Sequence, residues 1–77
     1  MFYVYSIKSR ERNYIYVGLT EDIDRRINEH NSGKNKTTRP YKPFELIYEE
    51  QFRTRTEARR REKYLKAGSG KEFLKRL

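Results

Sequence analysis

Two runs rich in β-branched and aromatic residues stand near the start of the chain, Phe2-Tyr3-Val4-Tyr5-Ser6-Ile7 and Tyr14-Ile15-Tyr16-Val17-Gly18-Leu19. Side chains of that kind suit the pleated surface of a strand. The polar stretch Ser9–Asn13 between them reads as a turn, so the pair is an antiparallel hairpin. Alternation puts Tyr3, Tyr5 and Ile7 on one face of the first strand and Tyr14, Tyr16 and Gly18 on one face of the second. Four tyrosines therefore share a face, and the rest of the chain has to cover it.

Thr20-Glu21-Asp22 has the character of a helix start, with a capping hydroxyl followed by acids where the dipole favours them. Ile23, Ile27 and His30 recur at helical spacing, and Gly33 follows as a stop. Lys34–Pro43 carries four basic residues and no acid, and Pro40 and Pro43 keep it irregular. Phe44, Leu46, Ile47 and Tyr48 mark a third strand running to about Gln51. Thr54-Arg55-Thr56-Glu57 has the spacing of a capping box and opens a second helix, with Ala58 and Leu65 on its apolar side, ending at Gly68. Ser69-Gly70-Lys71-Glu72 repeats that spacing before Phe73, Leu74 and Leu77, a short closing helix. The expectation is a single α+β domain over residues 1–77: a two-layer fold, a small three-stranded antiparallel sheet with helices packed on it, in the order β-β-α-β-α-α.

Composition narrows the function classes. With 77 residues, 34% hydrophobic and 39% charged, the core must be thin. Aromatics at 14% argue against disorder. The lack of cysteine excludes disulfide staples and zinc fingers. Met1–Lys8 is too short to span a membrane and lacks the basic start of a signal peptide, so the expected location is the cytoplasm, with no membrane partner. Nineteen Lys and Arg against eleven Asp and Glu give a net charge of +8, which suits a polyanion, though such a charge also serves solubility.

Three polar features fall where the core has a claim. At 3.6 residues per turn, Glu62 lies about 40° from Ala58 while Leu65 lies about 20° to the other side, so a carboxylate sits inside the apolar stripe. A carboxylate there needs a partner. A metal ion is one candidate, but Arg59, Arg60 and Arg61 are close in sequence, and the ion pair is the plainer reading. Arg26 and His30 share a helix face one turn apart. Arg26 has the planar fork that holds phosphate, or pairs with Asp22; His30 is a site residue, or a helix-end group facing the dipole. The clustered tyrosines either pack half-buried or supply a phenol whose proton a nearby cation weakens.

Tyr3-Val4-Tyr5, Tyr16-Val17-Gly18, Arg26 ten residues after Tyr16, and Glu62 in a later helix together resemble the GIY-YIG endonuclease pattern. The resemblance covers essentially the whole chain and is nearest to compact stand-alone bacterial members related to the amino-terminal nuclease module of the bacterial excision-repair endonuclease, which brings DNA repair into view. It implies a catalytic set of Tyr5, Tyr16, Arg26, His30 and Glu62, with Glu62 as the metal-binding carboxylate and Gly18 allowing close approach. Tyr3 stands where the family has Gly, Val4 and Val17 replace Ile, and Leu19 occupies the place of a lysine in the repair nuclease. The polar residue that some members carry near the end of the domain has no counterpart here.

The implied chemistry is hydrolysis of a phosphodiester, most naturally in DNA, with low sequence specificity and one divalent ion, Mg²⁺ or Mn²⁺. Arg26 would neutralise the phosphate. Tyr16, its acidity raised by these cations, would take a proton from water or itself attack, and Tyr5 and His30 would orient it or hand on the proton. Arg25, Lys34, Lys36, Arg39, Lys42 and Arg59 would hold flanking phosphates, in a monomer or weak dimer. The alternatives are an inactive nucleic-acid-binding module of the same fold, or a basic domain that binds an acidic protein.

Overall fold

The computed structural model describes all residues, 1–77. Strand β1 (Phe2–Ser9) is central, with β2 (Ile15–Thr20) and β3 (Phe44–Phe52) antiparallel on either side. Helix α1 (Ile23–Ser32) follows the hairpin, and α2 (Arg55–Lys66) and α3 (Gly68–Lys75) close the chain. The element order is the expected one.

Register decides what each face carries. Tyr5 lies opposite Gly18 and Ile7 opposite Tyr16, so the tyrosines of the hairpin do share a face. On that face Tyr5, Ile7 and Phe44 form a core with Ile23 and Ile27 of α1. The alternate residues Val4 and Val17 pack with Ala58, Leu65 and Leu74 of α2 and α3. The thin core is thus in two parts, with α1 against one face of the sheet and the two later helices against the other.

Several boundaries differ from those the sequence suggests. The cap of α1 is Asp22, which accepts from the Arg25 amide at 3.1 Å; the Thr20 hydroxyl instead accepts from the Asp22 amide. Gly33 does end the helix, at φ 83°. Thr54 caps α2 through the Glu57 amide as expected. Ser69 caps nothing, because α3 begins at Gly68, with Ala67 alone between it and the end of α2. At Gly70 a Cβ would run into the Tyr64 carbonyl oxygen, so glycine there lets the two helices meet backbone to backbone. No helix is long and apolar enough to cross a membrane.

Candidate active site

The Tyr5 side chain is buried and lies across Gly18, where a Cβ would stand 2.5 Å from the phenolic oxygen. Glycine is required there because Tyr5 occupies the space a side chain would take. The hydroxyl meets His30 Nε2 at 2.9 Å, and His30 Nδ1 meets the Thr38 hydroxyl at 2.8 Å. All three residues are buried, so the chain Tyr5–His30–Thr38 runs through the interior.

Local structure holds this chain in place. The Asn31 side chain accepts from the Phe44 amide at 2.7 Å, which ties the end of α1 to the start of β3 and seats His30 over the sheet. Asn35 accepts from the amides of Thr37 and Thr38, and a short 3-10 turn at Arg39–Tyr41 completes the loop. The imidazole sits among rings, with Tyr16 at 4.9 Å and Phe44 at 5.9 Å between centroids.

Burial sets the protonation states. It holds the His30 imidazole below its ordinary range, and the Arg26 charge adds to that effect while Glu29 opposes it. Burial likewise pushes the Tyr5 phenol well above its ordinary range; Tyr16, Glu62 and Glu29 add to the rise, and Arg26 is the cation that opposes it. Charges from α1 and α2 therefore both bear on the Tyr5 hydroxyl. At neutral pH the pair is a neutral phenol hydrogen-bonded to a neutral imidazole.

Arg26 is half-exposed and lies 3.6 Å from Glu29 rather than pairing with Asp22, whose carboxylate is spent on the helix cap. At 43% exposure its side chain remains open to a ligand beside that contact. His30 does stand in the last turn of α1, but both its ring nitrogens are bonded to side chains inside the protein. Glu62 is 7% exposed, and its oxygens lie 3.3 Å from Arg59 and 3.3 Å from Lys66. The expected ion pair is present with Arg59 but not with Arg61, which turns to Glu50 instead. Lys66 and Thr38 had no signal in the sequence, one reading as a solvated lysine and the other as a loop threonine.

No three His, Asp or Glu side chains gather to hold an ion by themselves. Glu62 nevertheless fits a magnesium-like ion shared with substrate. Such an ion commonly takes one or two carboxylates and keeps water and phosphate oxygens for the rest of its shell. The side chains of Arg59 and Lys66 that pair with it are 56% and 55% exposed, so burial does not fix them there.

Of the expected phosphate-binding residues, Arg39 and Lys42 both lie beside Gly33. Lys34, Lys36 and Lys42 are exposed on the loop after α1, while Arg39 donates to the Gly33 carbonyl at 2.7 Å and Arg25 pairs with Glu29. Leu19 packs against the apolar cluster beneath α2, on the face of β2 opposite Tyr16. That position points away from the phenol in this chain.

The family model of the GIY-YIG catalytic domain matches residues 1–76. A UPF0213 protein of Staphylococcus haemolyticus is 40% identical over 76 residues, covering 97% of this chain and 92% of that protein. The UPF0213 protein YazA of Bacillus subtilis is 38% identical over 65 residues, covering 83% of this chain and 65% of that protein. The solution NMR structure of a UPF0213 protein from Bacillus halodurans superposes with a TM-score of 0.57 at 40% identity, covering 96% of this chain and 82% of the other. The chain therefore belongs to the GIY-YIG nuclease family.

Proposed function

We propose that this protein is a metal-dependent endonuclease that hydrolyses phosphodiester bonds in nucleic acid, DNA before RNA, with little sequence preference. The observation that carries the reading is the Tyr5–His30–Thr38 chain. Burying three hydrogen-bonding side chains in so small a core is costly unless their placement serves something, and this one ends beside the half-exposed Tyr16 ring.

In this reading Arg26 neutralises the non-bridging oxygens of the scissile phosphate, and Glu62 holds one Mg²⁺ or Mn²⁺. The ion supplies charge stabilisation at the phosphate and the leaving oxygen. Tyr16, as its phenolate once its own proton has passed to solvent, takes the proton from the attacking water, and the leaving oxygen draws a proton from solvent. Tyr5 and His30 orient that phenol as a neutral pair rather than storing the proton, because burial disfavours the charged form of each. Arg25, Lys34, Lys36, Arg39, Lys42 and Arg59 contact flanking phosphates, and as each belongs to the sequence-independent grip, no long recognition site is expected.

The deciding experiment follows nicking of a supercoiled plasmid in Mg²⁺, Mn²⁺ and EDTA, with Glu62→Ala alongside. The parent nicks only with metal, and the variant is silent while its affinity for the same DNA stays within about threefold. Equal nicking by the variant removes the metal assignment. A parent that binds and never cuts turns the reading to an inactive binding module.

A further inference from the structure

The free edge of β2 is flanked by two grooves, one reaching Tyr16 and the other Arg26, whose remaining lining lies outside the catalytic set. One, about 450 Å³, lies along residues 13–17 and is closed by the end of α2 and by α3. Ile15, with Tyr14 and Tyr16, gives it apolar surface over the buried Val17, Leu65 and Leu74, and its rim is Lys66, Lys71 and Lys75, with no acid among the lining residues. The other, about 320 Å³, lies beside Leu19 and Thr20 under Arg25, Arg26 and Arg55, with Glu21 and Asp22 also present. Only Gly18 separates the two stretches of β2. Tyr16 lines the first groove, and Lys66 on its rim is the lysine paired with Glu62 at 3.3 Å.

We infer that the groove between β2 and α3 is a subsite for one unpaired nucleotide next to the scissile phosphate, with the strand continuing along the β2 edge towards Arg26. The inference rests on the nuclease reading and adds a substrate preference to it. An apolar floor under a lysine rim suits a strand whose base is turned inward and whose phosphates face the cations. A duplex presents phosphates but no base face to such a groove. Lys71 and Lys75 stand one helical turn apart on the same side of α3, so they follow the strand rather than crowd a single phosphate. Lys71 forms no ion pair within the protein, and Lys75 makes only a long contact of 3.9 Å with exposed Glu72.

The test uses fluorescence anisotropy in EDTA over a KCl series. The probes are a labelled single strand, a hairpin duplex of the same sequence, and the single strand with an abasic site. The proteins are the parent, the double variant Lys71→Ala/Lys75→Ala, and the loop pair Lys34→Ala/Lys36→Ala. The α3 pair should lose about tenfold in single-strand affinity and flatten the salt dependence by roughly 1.4 in log–log slope, two contacts at about 0.7 each. Its duplex affinity should fall less than threefold, and the abasic strand should bind the parent several-fold more weakly than the intact one. An equal loss on strand and duplex, an abasic strand bound as tightly as the intact one, or a larger loss from the loop pair each overturns the subsite. The cutting assay separates this from the nuclease reading. Cutting with no effect of the α3 pair sinks the subsite alone, whereas α3-dependent single-strand binding without cutting sinks the hydrolysis alone.

Discussion

The two faces of the sheet are made by alternate residues of the same strands, yet they cohere by different means. Beneath α2 and α3, Val4, Val17, Ala58, Leu65 and Leu74 form an apolar cluster whose stability comes from area removed from water. Beneath α1 the centre is a hydrogen-bonded row, with Tyr5, His30 and Thr38 buried among Ile7, Phe44 and flanking tyrosines. No buried side-chain nitrogen or oxygen is left without a partner, so the polar face is satisfied, though it gains less per residue than hydrocarbon would. The difference separates roles: one face holds the domain together, and the other spends burial on fixing a phenol and an imidazole. Variants on the first should damage folding and carry activity down with it. Variants on the second should lose activity beyond what their stability explains.

The largest effect should come from Leu65→Ala, which empties the centre of the apolar cluster. Such a deletion costs about 2–5 kcal/mol, against a total of roughly 4–12 kcal/mol for a chain of this length. Urea unfolding should show a much lower midpoint, while nicking per folded molecule stays near the parent value. Cutting lost far out of proportion to folding would break the division between the faces.

Gly18→Ala comes next and strikes the opposite face. The new methyl would meet a Tyr5 ring that is held in place by His30, so both overpacking and a strained hydrogen bond follow. Overpacking alone costs about 1–3 kcal/mol. Nicking should fall roughly 10²-fold, as expected for a catalytic group misplaced by about an ångström. A variant that folds and cuts like the parent would show that the position of Tyr5 does not matter.

Thr38→Val is milder, because it removes one hydroxyl and leaves the shape. His30 Nδ1 then has no partner in a buried site, at a cost of about 1–3 kcal/mol. Thr38→Ser should restore both stability and cutting. Loss of stability with unchanged kcat would make Thr38 a packing residue only.

How far the sequence reached follows the same division. The hairpin, its shared tyrosine face and the carboxylate within the α2 stripe were legible because alternation and helical periodicity carry them. The partner of His30 was not, because Thr38 is brought to it by a loop, and nothing in Lys-Thr-Thr-Arg marks which threonine turns inward. The boundary between α2 and α3 was misplaced because capping spacing does not report the backbone contact at Gly70 where the two helices meet. Lys71 and Lys75 carry no signal of their own in the sequence, and only the fold sets them along the β2 edge.

The smallest effect, and the one that reports on the polar face alone, is the pH dependence of stability. His30 is held below its ordinary range in the fold, chiefly by burial and then by Arg26, whereas in the unfolded chain it titrates near about 6.5. Between those two values the unfolded chain binds a proton that the folded chain refuses, so protonation favours unfolding. Stability is therefore complete above about pH 7 and falls as pH drops below about 6.5, with a slope of at most one proton. Glu29 beside the site limits the effect, and the Tyr5 hydroxyl and Thr38 remain neutral throughout this range. Urea midpoints at pH 7.5, 6.5 and 5.5 for the parent and for His30→Gln should show the fall in the parent and a flatter line in the variant. Parallel lines would mean that the imidazole is free to take its proton inside the fold, and the neutral pair proposed for orienting Tyr16 would have to be abandoned.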